Sequence, residues 1–304
     1  MKISLGPVLY YWSEEKLRQF YGQIAESPVD IVYLGETICS KRRSLNTDQW
    51  IEIARQLKAA GKEVILSTLA LLEAESELKT MRRICGNGEF TVEANDLAAV
   101  NLRSEQGESF VVGHSVNIYN QGAMEVLAEA GMNRWVLSVE LSRETLRDLQ
   151  QHRPDGVETE IFAWGRIPLA YAARCYTARH YELPKDDCQY RCIDDSDGML
   201  LNTKEGEPFL TINGIQTQSA QSCNLLGAME EMRELGVDVV RISPQSMFTP
   251  EIIKLFDQVQ RQEISLQDGM AAADRFLPYG GVDGYWRGEA GIDKTAKTDD
   301  SSVI

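Results

Sequence analysis

Eight short runs of apolar and β-branched residues, separated by helical patterns, constrain this sequence more than any other feature. They lie at residues 3–10, 31–35, 64–69, 90–93, 110–114, 135–141, 159–164 and 237–242. Strands alternating with amphipathic helices predict a parallel sheet with crossover helices. Eight such units predict an α/β, (β/α)8 TIM-barrel-like fold. The intervening segments agree, because Leu17, Phe20, Tyr21 and Ile24 recur on one helical face, as do Trp50, Ala54 and Leu57, and later Ile252, Phe256 and Val259. Asn46-Thr47 and Thr249-Pro250-Glu251 carry helix-start chemistry: a capping oxygen, a proline with preset φ and an acid near the positive dipole end.

The regularity breaks between residues 165 and 236, where about seventy residues replace the helix of the seventh unit. This predicts an irregular insertion after the seventh strand, bearing four cysteines and a small hairpin at 199–201 and 209–212. Long insertions of this kind tend to carry function. A single barrel domain over residues 1–280 follows, since α/β barrels reach about 250 residues as one unit. Past Tyr279 the chain turns Gly-rich and then polar, which predicts a disordered C-terminal tail over 281–304.

Composition excludes several classes. Of 304 residues, 43% are hydrophobic and 25% charged, as in ordinary globular proteins. A net charge of −15 opposes binding modes that neutralise many phosphates. The longest apolar run, 64–72, is interrupted by Ser67 and Thr68 and falls short of the roughly 20 residues that cross a bilayer. Gly6-Pro7 breaks the apolar N-terminus and no small-residue cleavage site follows, so these residues read as a first strand rather than an export signal. The expected compartment is the cytoplasm, where clustered cysteines more often bind metal or perform redox chemistry than form disulfides.

The six cysteines are therefore informative. Cys175, Cys188 and Cys192 lie as C-x12-C-x3-C, too wide for paired zinc knuckles and unlike the C-x3-C-x2-C run of radical enzymes. Three thiols so close in sequence still point to a shared site for zinc, copper(I) or an iron–sulfur cluster. Cys39 follows the second strand, on the face where barrel loops converge, and can meet the other three there. Cys223 is a rival fourth ligand, and a buried free thiol is the plain alternative for Cys39. Cys85 reads as packing.

The segments Ala173-Arg174-Cys175-Tyr176-Thr177-Ala178-Arg179 and Pro184-Lys185-Asp186-Asp187-Cys188 resemble the cysteine segment of the collagenase-like peptidases, family U32. Glu36-Thr37-Ile38-Cys39-Ser40-Lys41-Arg42-Arg43, Val92-Glu93-Ala94-Asn95-Asp96 and Asp238-Val239-Val240-Arg241-Ile242-Ser243-Pro244-Gln245 extend the likeness over roughly residues 1 to 280. The resemblance implies a [4Fe–4S] cluster on Cys39, Cys175, Cys188 and Cys192. It further implies an iron–sulfur component of an oxygen-independent hydroxylase in ubiquinone biosynthesis, acting anaerobically on the aromatic ring of a prenylated precursor. The implied partners are a paralogue, UbiU, in a heterodimer, the lipid carrier UbiT, and prephenate as hydroxyl donor. Two other readings stand beside it: a non-catalytic, metal-stabilised partner protein, and a peptidase. The second lacks support from motifs, since no H-E-x-x-H and no Ser–His–Asp order stands out.

Polar residues around these cysteines are candidates to tune a cluster or bind a carboxylated donor: Glu36, Lys41, Arg42 and Arg43 beside Cys39, and Arg174 and Arg179 beside Cys175. His114, Asn117, Trp164 and Arg166, near the ends of the fifth and seventh strands, are candidates to line the barrel mouth. Each has a bland reading as surface charge or packing.

Overall fold

Strands covered on both faces need apolar residues at successive positions, and the short runs supply them. The computed structural model describes residues 1–293. Its strands are β1 (Lys2–Leu5), β2 (Ile31–Leu34), β3 (Glu63–Ser67), β4 (Thr91–Ala94), β5 (Phe110–Val112), β6 (Met132–Val136) and the long β7 (Glu158–Tyr171). An insertion then contributes β8 (Met199–Asn202), β9 (Pro208–Asn213) and β10 (Gln216–Asn224) before β11 (Val239–Ile242). β1 to β7 pair in parallel in sequence order. β11 pairs in parallel with both β1 and β7, so the sheet closes into an eight-stranded (β/α)8 barrel. Closure removes the free edges that an open sheet would expose.

Helices α1 (Glu14–Glu26), α2 (Thr47–Ala59), α3 (Glu75–Cys85), α4 (Leu97–Glu105), α5 (Gln121–Glu129) and α6 (Arg143–Gln150) connect the first seven strands. α1 buries Leu17, Phe20, Tyr21 and Ile24, the face its periodicity predicts. α2 begins with a reciprocal cap: the Gln49 amide donates to the Asn46 side chain at 3.0 Å and the Asn46 amide donates to the Gln49 side chain at 2.9 Å. The insertion carries the single-turn α7 (Tyr176–His180) and the short α8 (Met229–Glu234), and α9 (Thr249–Gln260) follows β11. Thr249 does not cap α9. Its hydroxyl is spent on Gln245, accepting from the amide at 3.0 Å and donating to the carbonyl at 2.9 Å.

Side chains alternate across each strand. One set, including Val32, Leu34, Leu66 and Val92, packs outward against the helices. The other fills the barrel, where Ile31, Tyr33, Ile65, Val111, Val136 and Val239 form a separate buried cluster.

The insertion sits where the sequence places it, but it is not irregular throughout. β7 runs on past the barrel and pairs antiparallel with β10, β10 pairs with β9, and β9 pairs with β8 in the expected hairpin. Gly165 permits the run-on: at φ 118° it lies where a Cβ would approach Ser243 to 2.7 Å.

The expected tail over 281–304 is likewise corrected in its first part. After α10 (Leu266–Ala273), β12 (Gly281–Val282) pairs with β10, and α11 (Gly284–Arg287) buries Trp286 and donates its indole N–H to Glu231 at 2.9 Å. The apolar Val282 and Trp286 repay ordering of this glycine-bearing stretch. Residues 294–304 lie outside the described residues.

Candidate functional site

Arg42 organises the mouth of the barrel. Its Nη1 donates to the Leu9 carbonyl at 2.7 Å and its Nη2 to Asn213 Oδ1 at 2.6 Å, and Glu36 lies 3.8 Å away. Gly214, at φ 67°, makes room, since a Cβ there would stand 2.9 Å from the guanidinium. Burial opposes charge on Arg42 but is outweighed by Glu36, Cys192 and Cys39, so its pKa is raised. One cation of the loop after β2 thus ties the loop after β1 to the end of β9.

Around it the structure gathers the thiols. Cys39 and Cys175 pack in one apolar cluster with Leu9, Ile38, Ile215, Leu71 and Tyr171. Cys192 lies close enough to Arg42 and Cys175 to feel the charge of each. Lys41 lies in the field of both Cys188 and Cys39, and binds the turn before Cys188 by donating to the Lys185 carbonyl at 2.7 Å and Asp186 at 2.8 Å. The Cys39 loop is held by Glu36, whose carboxylate accepts from the Ile38 and Cys39 amides at 2.9 and 3.0 Å. Cys175 caps α7, with its sulfur accepting from the Ala178 amide at 3.4 Å. Burial pushes the Cys39 thiol up to about 11, against the pull of Arg42, and raises Cys192 in the same way.

The other cysteines stand apart. Cys223 is buried on β10 in the main core, and burial pushes its thiol up to about 12. Cys85 is buried at the end of α3, also in the main core. Neither packs with the Cys39 and Cys175 cluster.

Below the mouth lies a network the sequence reading did not assign. Arg241 on β11, 3% exposed, pairs with Glu93 on β4 and Glu160 on β7, each at 2.7 Å. Ser67 donates to Glu93 at 2.6 Å, Ser4 and Tyr33 donate to Glu160 at 2.6 and 2.5 Å, and the guanidinium stacks 4.0 Å over the Tyr33 ring. The signal was available, because Glu93, Glu160 and Arg241 are charges within otherwise apolar strands, and such charges require partners.

Among the remaining candidates, His114 is half-buried and contacts the Tyr171 hydroxyl at 3.2 Å. Trp164 is packing, edge-on to Phe256 at 6.1 Å. Arg166 is bound to the Asp197 carbonyl. Asn117, Arg43, Arg174 and Arg179 are exposed.

Burial, then the charge of Arg241, lowers the His114 pKa to about 4, with Glu93 opposing. The folded protein therefore binds this proton less readily than the unfolded chain, whose histidine titrates near 6.5. The associated stability is present above about pH 6.5 and is lost as pH falls toward 4, by roughly 2 kcal/mol for a half-buried group. Denaturation of wild type and His114→Gln at pH 7 and pH 4.5 checks this: the gap between them should narrow or reverse at the lower pH. An unchanged gap contradicts it.

The fold and site together define a parallel α/β barrel with a thiol-bearing mouth. The model of Peptidase family U32 matches residues 13–262, and the chain belongs to that family. The solved U32 peptidase Mk0906 is similar at 12% identity and a TM-score of 0.46, covering 81% of this chain and 93% of its own. A dimeric archaeal Rubisco from Hyperthermus butylicus matches at 13% identity and a TM-score of 0.48, over 91% and 66% of the two chains. No helix among the described residues is long and apolar enough to cross a membrane.

Four thiols are the type of donor set that soft metal groups take. Cys39 and Cys175 share one apolar cluster, and Cys188 and Cys192 lie within the electrostatic reach of Lys41 and Arg42, two cations that would offset thiolate charge. Among the described residues no three Cys, His, Asp or Glu side chains already form a group able to hold a metal ion. The thiols share a region rather than a finished coordination geometry. Cys188 and Cys192 sit at short 3-10 turns, 185–187 and 191–193.

Proposed function

We propose that this chain is the UbiV-like, iron–sulfur component of an oxygen-independent hydroxylase in ubiquinone biosynthesis, paired with UbiU and served by the lipid carrier UbiT. The observation that carries the reading is the meeting of Cys39 with Cys175 and Cys192 around Arg42, at the barrel face where such folds place their chemistry. A peptidase reading lacks an equivalent: His114 meets Tyr171, His152 meets the Asp148 carbonyl and His180 packs edge-on to Tyr181, so none of the three is hydrogen-bonded to a serine or cysteine nucleophile.

In this reading Cys39, Cys175, Cys188 and Cys192 hold a [4Fe–4S] cluster, which supplies one-electron chemistry when bound. Glu36 fixes the Cys39 loop through two backbone amides. Arg42 places a permanent positive charge against the sulfurs, which favours their thiolate forms. Lys41 ties the Cys39 loop to the turn before Cys188.

A strain lacking this protein is expected to lose ubiquinone made without air and to keep ubiquinone made with air. Normal anaerobic quinone in that strain, with the oxygen-dependent hydroxylases also deleted, contradicts the proposal.

A further inference from the structure

The largest cavity near the thiols is not the barrel centre. It lies beside it, between the loop after β2, the loop after β3 and helices α2 and α3, with a volume of about 720 Å³ and Cys39 on its wall. Pockets for small organic molecules fall in the range of about 300–1,000 Å³. Leu34, Leu66, Leu69, Met81, Ile84 and Trp50 supply an apolar lining with one aromatic face.

Most of the cations at its rim are already paired, and Arg43 is the exposed exception among the lining residues. Lys185 pairs with Glu73, Lys41 with Asp186, and Arg83 with Asp48. Ser40 donates to Glu77 at 2.5 Å. A ligand carboxylate entering here would meet Glu73, Glu77 and Asp186 with only Arg43 not already engaged, whereas a neutral ring with an apolar substituent would suit the lining and leave the pairs intact. The cavity roof comes from the turn at Lys185 and Asp186, within the segment that carries Cys188.

We infer that this cavity is the binding site for the ring to be hydroxylated, taken as a neutral, alkyl- or prenyl-substituted phenol. The inference rests on the hydroxylase reading for the identity of the ligand, and it assigns substrate binding to this chain rather than to its partner. The cavity presents the ring beside Cys39, and the Lys41–Asp186 and Lys185–Glu73 pairs join the Cys188 turn to the cavity wall. Cluster loading and ligand binding should therefore influence each other.

The test uses the full chain purified anaerobically, with iron measured on each sample, and 2-geranylphenol as the probe in equilibrium dialysis. Thr80 is exposed and lines the cavity, so Thr80→Trp should fill it without disturbing the core; the exposed neighbour Lys79, outside the lining, supplies Lys79→Trp as control. We expect wild type and Lys79→Trp to bind the probe, Thr80→Trp to bind about tenfold more weakly with iron unchanged, and 3-geranyl-4-hydroxybenzoate to bind wild type more weakly than the neutral phenol. Iron-loaded wild type that fails to bind the phenol, equal binding by Thr80→Trp, or tighter binding of the carboxylated probe overturns the assignment. Colourless, iron-free protein that still binds the phenol and loses binding in Thr80→Trp upholds the cavity and removes the cluster reading.

Discussion

Arg241→Leu should destabilise the protein by about 3–5 kcal/mol, because it leaves the Glu93 and Glu160 carboxylates buried without their shared cation. The mechanism is the penalty of an unpaired buried charge rather than the loss of two favourable contacts, since an intact buried pair is itself worth little over an apolar replacement. Arg241→Lys should fall between, because a single ammonium cannot span two acids as the guanidinium does through Nη1 and Nε. Adding Glu93→Gln and Glu160→Gln to Arg241→Leu should recover part of the loss. Denaturant unfolding measures all four proteins. A loss below about 1 kcal/mol for Arg241→Leu would show that the network does not bind the barrel interior together.

The second large effect concerns the thiols. Cys39→Ala, Cys175→Ala, Cys188→Ala and Cys192→Ala should each deplete iron severely, because a missing thiolate opens one iron of a four-cysteine cluster to water and oxygen. Cys85→Ala and Cys223→Ala should keep iron, since both side chains are buried in the main core. Each of these two should instead show a modest stability loss of about 1–2 kcal/mol, as for removal of a small buried apolar group. Iron retained in Cys39→Ala but lost in Cys223→Ala would reverse the choice of fourth ligand. Chain-bound iron is read by colorimetric assay after anaerobic desalting.

Sequence pattern was enough for the barrel because its strands are short, apolar and separated by regular helices. Strand ends were less legible. β1 stops at Leu5, earlier than the apolar run to Tyr10: Gly6 still donates to the Ile242 carbonyl at 2.9 Å, but Pro7 follows and has no N–H to continue the ladder. β7 continues to Tyr171 through Gly165 and Pro168, residues that ordinarily mark a strand's end, because antiparallel pairing with β10 supports it. That pairing joins segments some fifty residues apart, and local periodicity carries no trace of it. Glycines past Tyr279 suggested disorder, while the opposing signal lay in two residues, Val282 and Trp286.

The site divides in the same way. Cys39 was legible as a mouth residue because it follows a barrel strand. The distance of Cys223 from the other thiols was not, since it depends on which way a strand of the insertion faces. The Arg241 network was written as charges inside apolar runs, but its partners come from β4, β7 and β11, and only barrel closure brings them together.

The most direct test of the account is the metal content of the wild-type protein purified without oxygen. A brown protein with broad absorption near 400 nm and about four iron per chain is the predicted result for a [4Fe–4S] cluster. A colourless protein carrying zinc, or no metal at all, contradicts it.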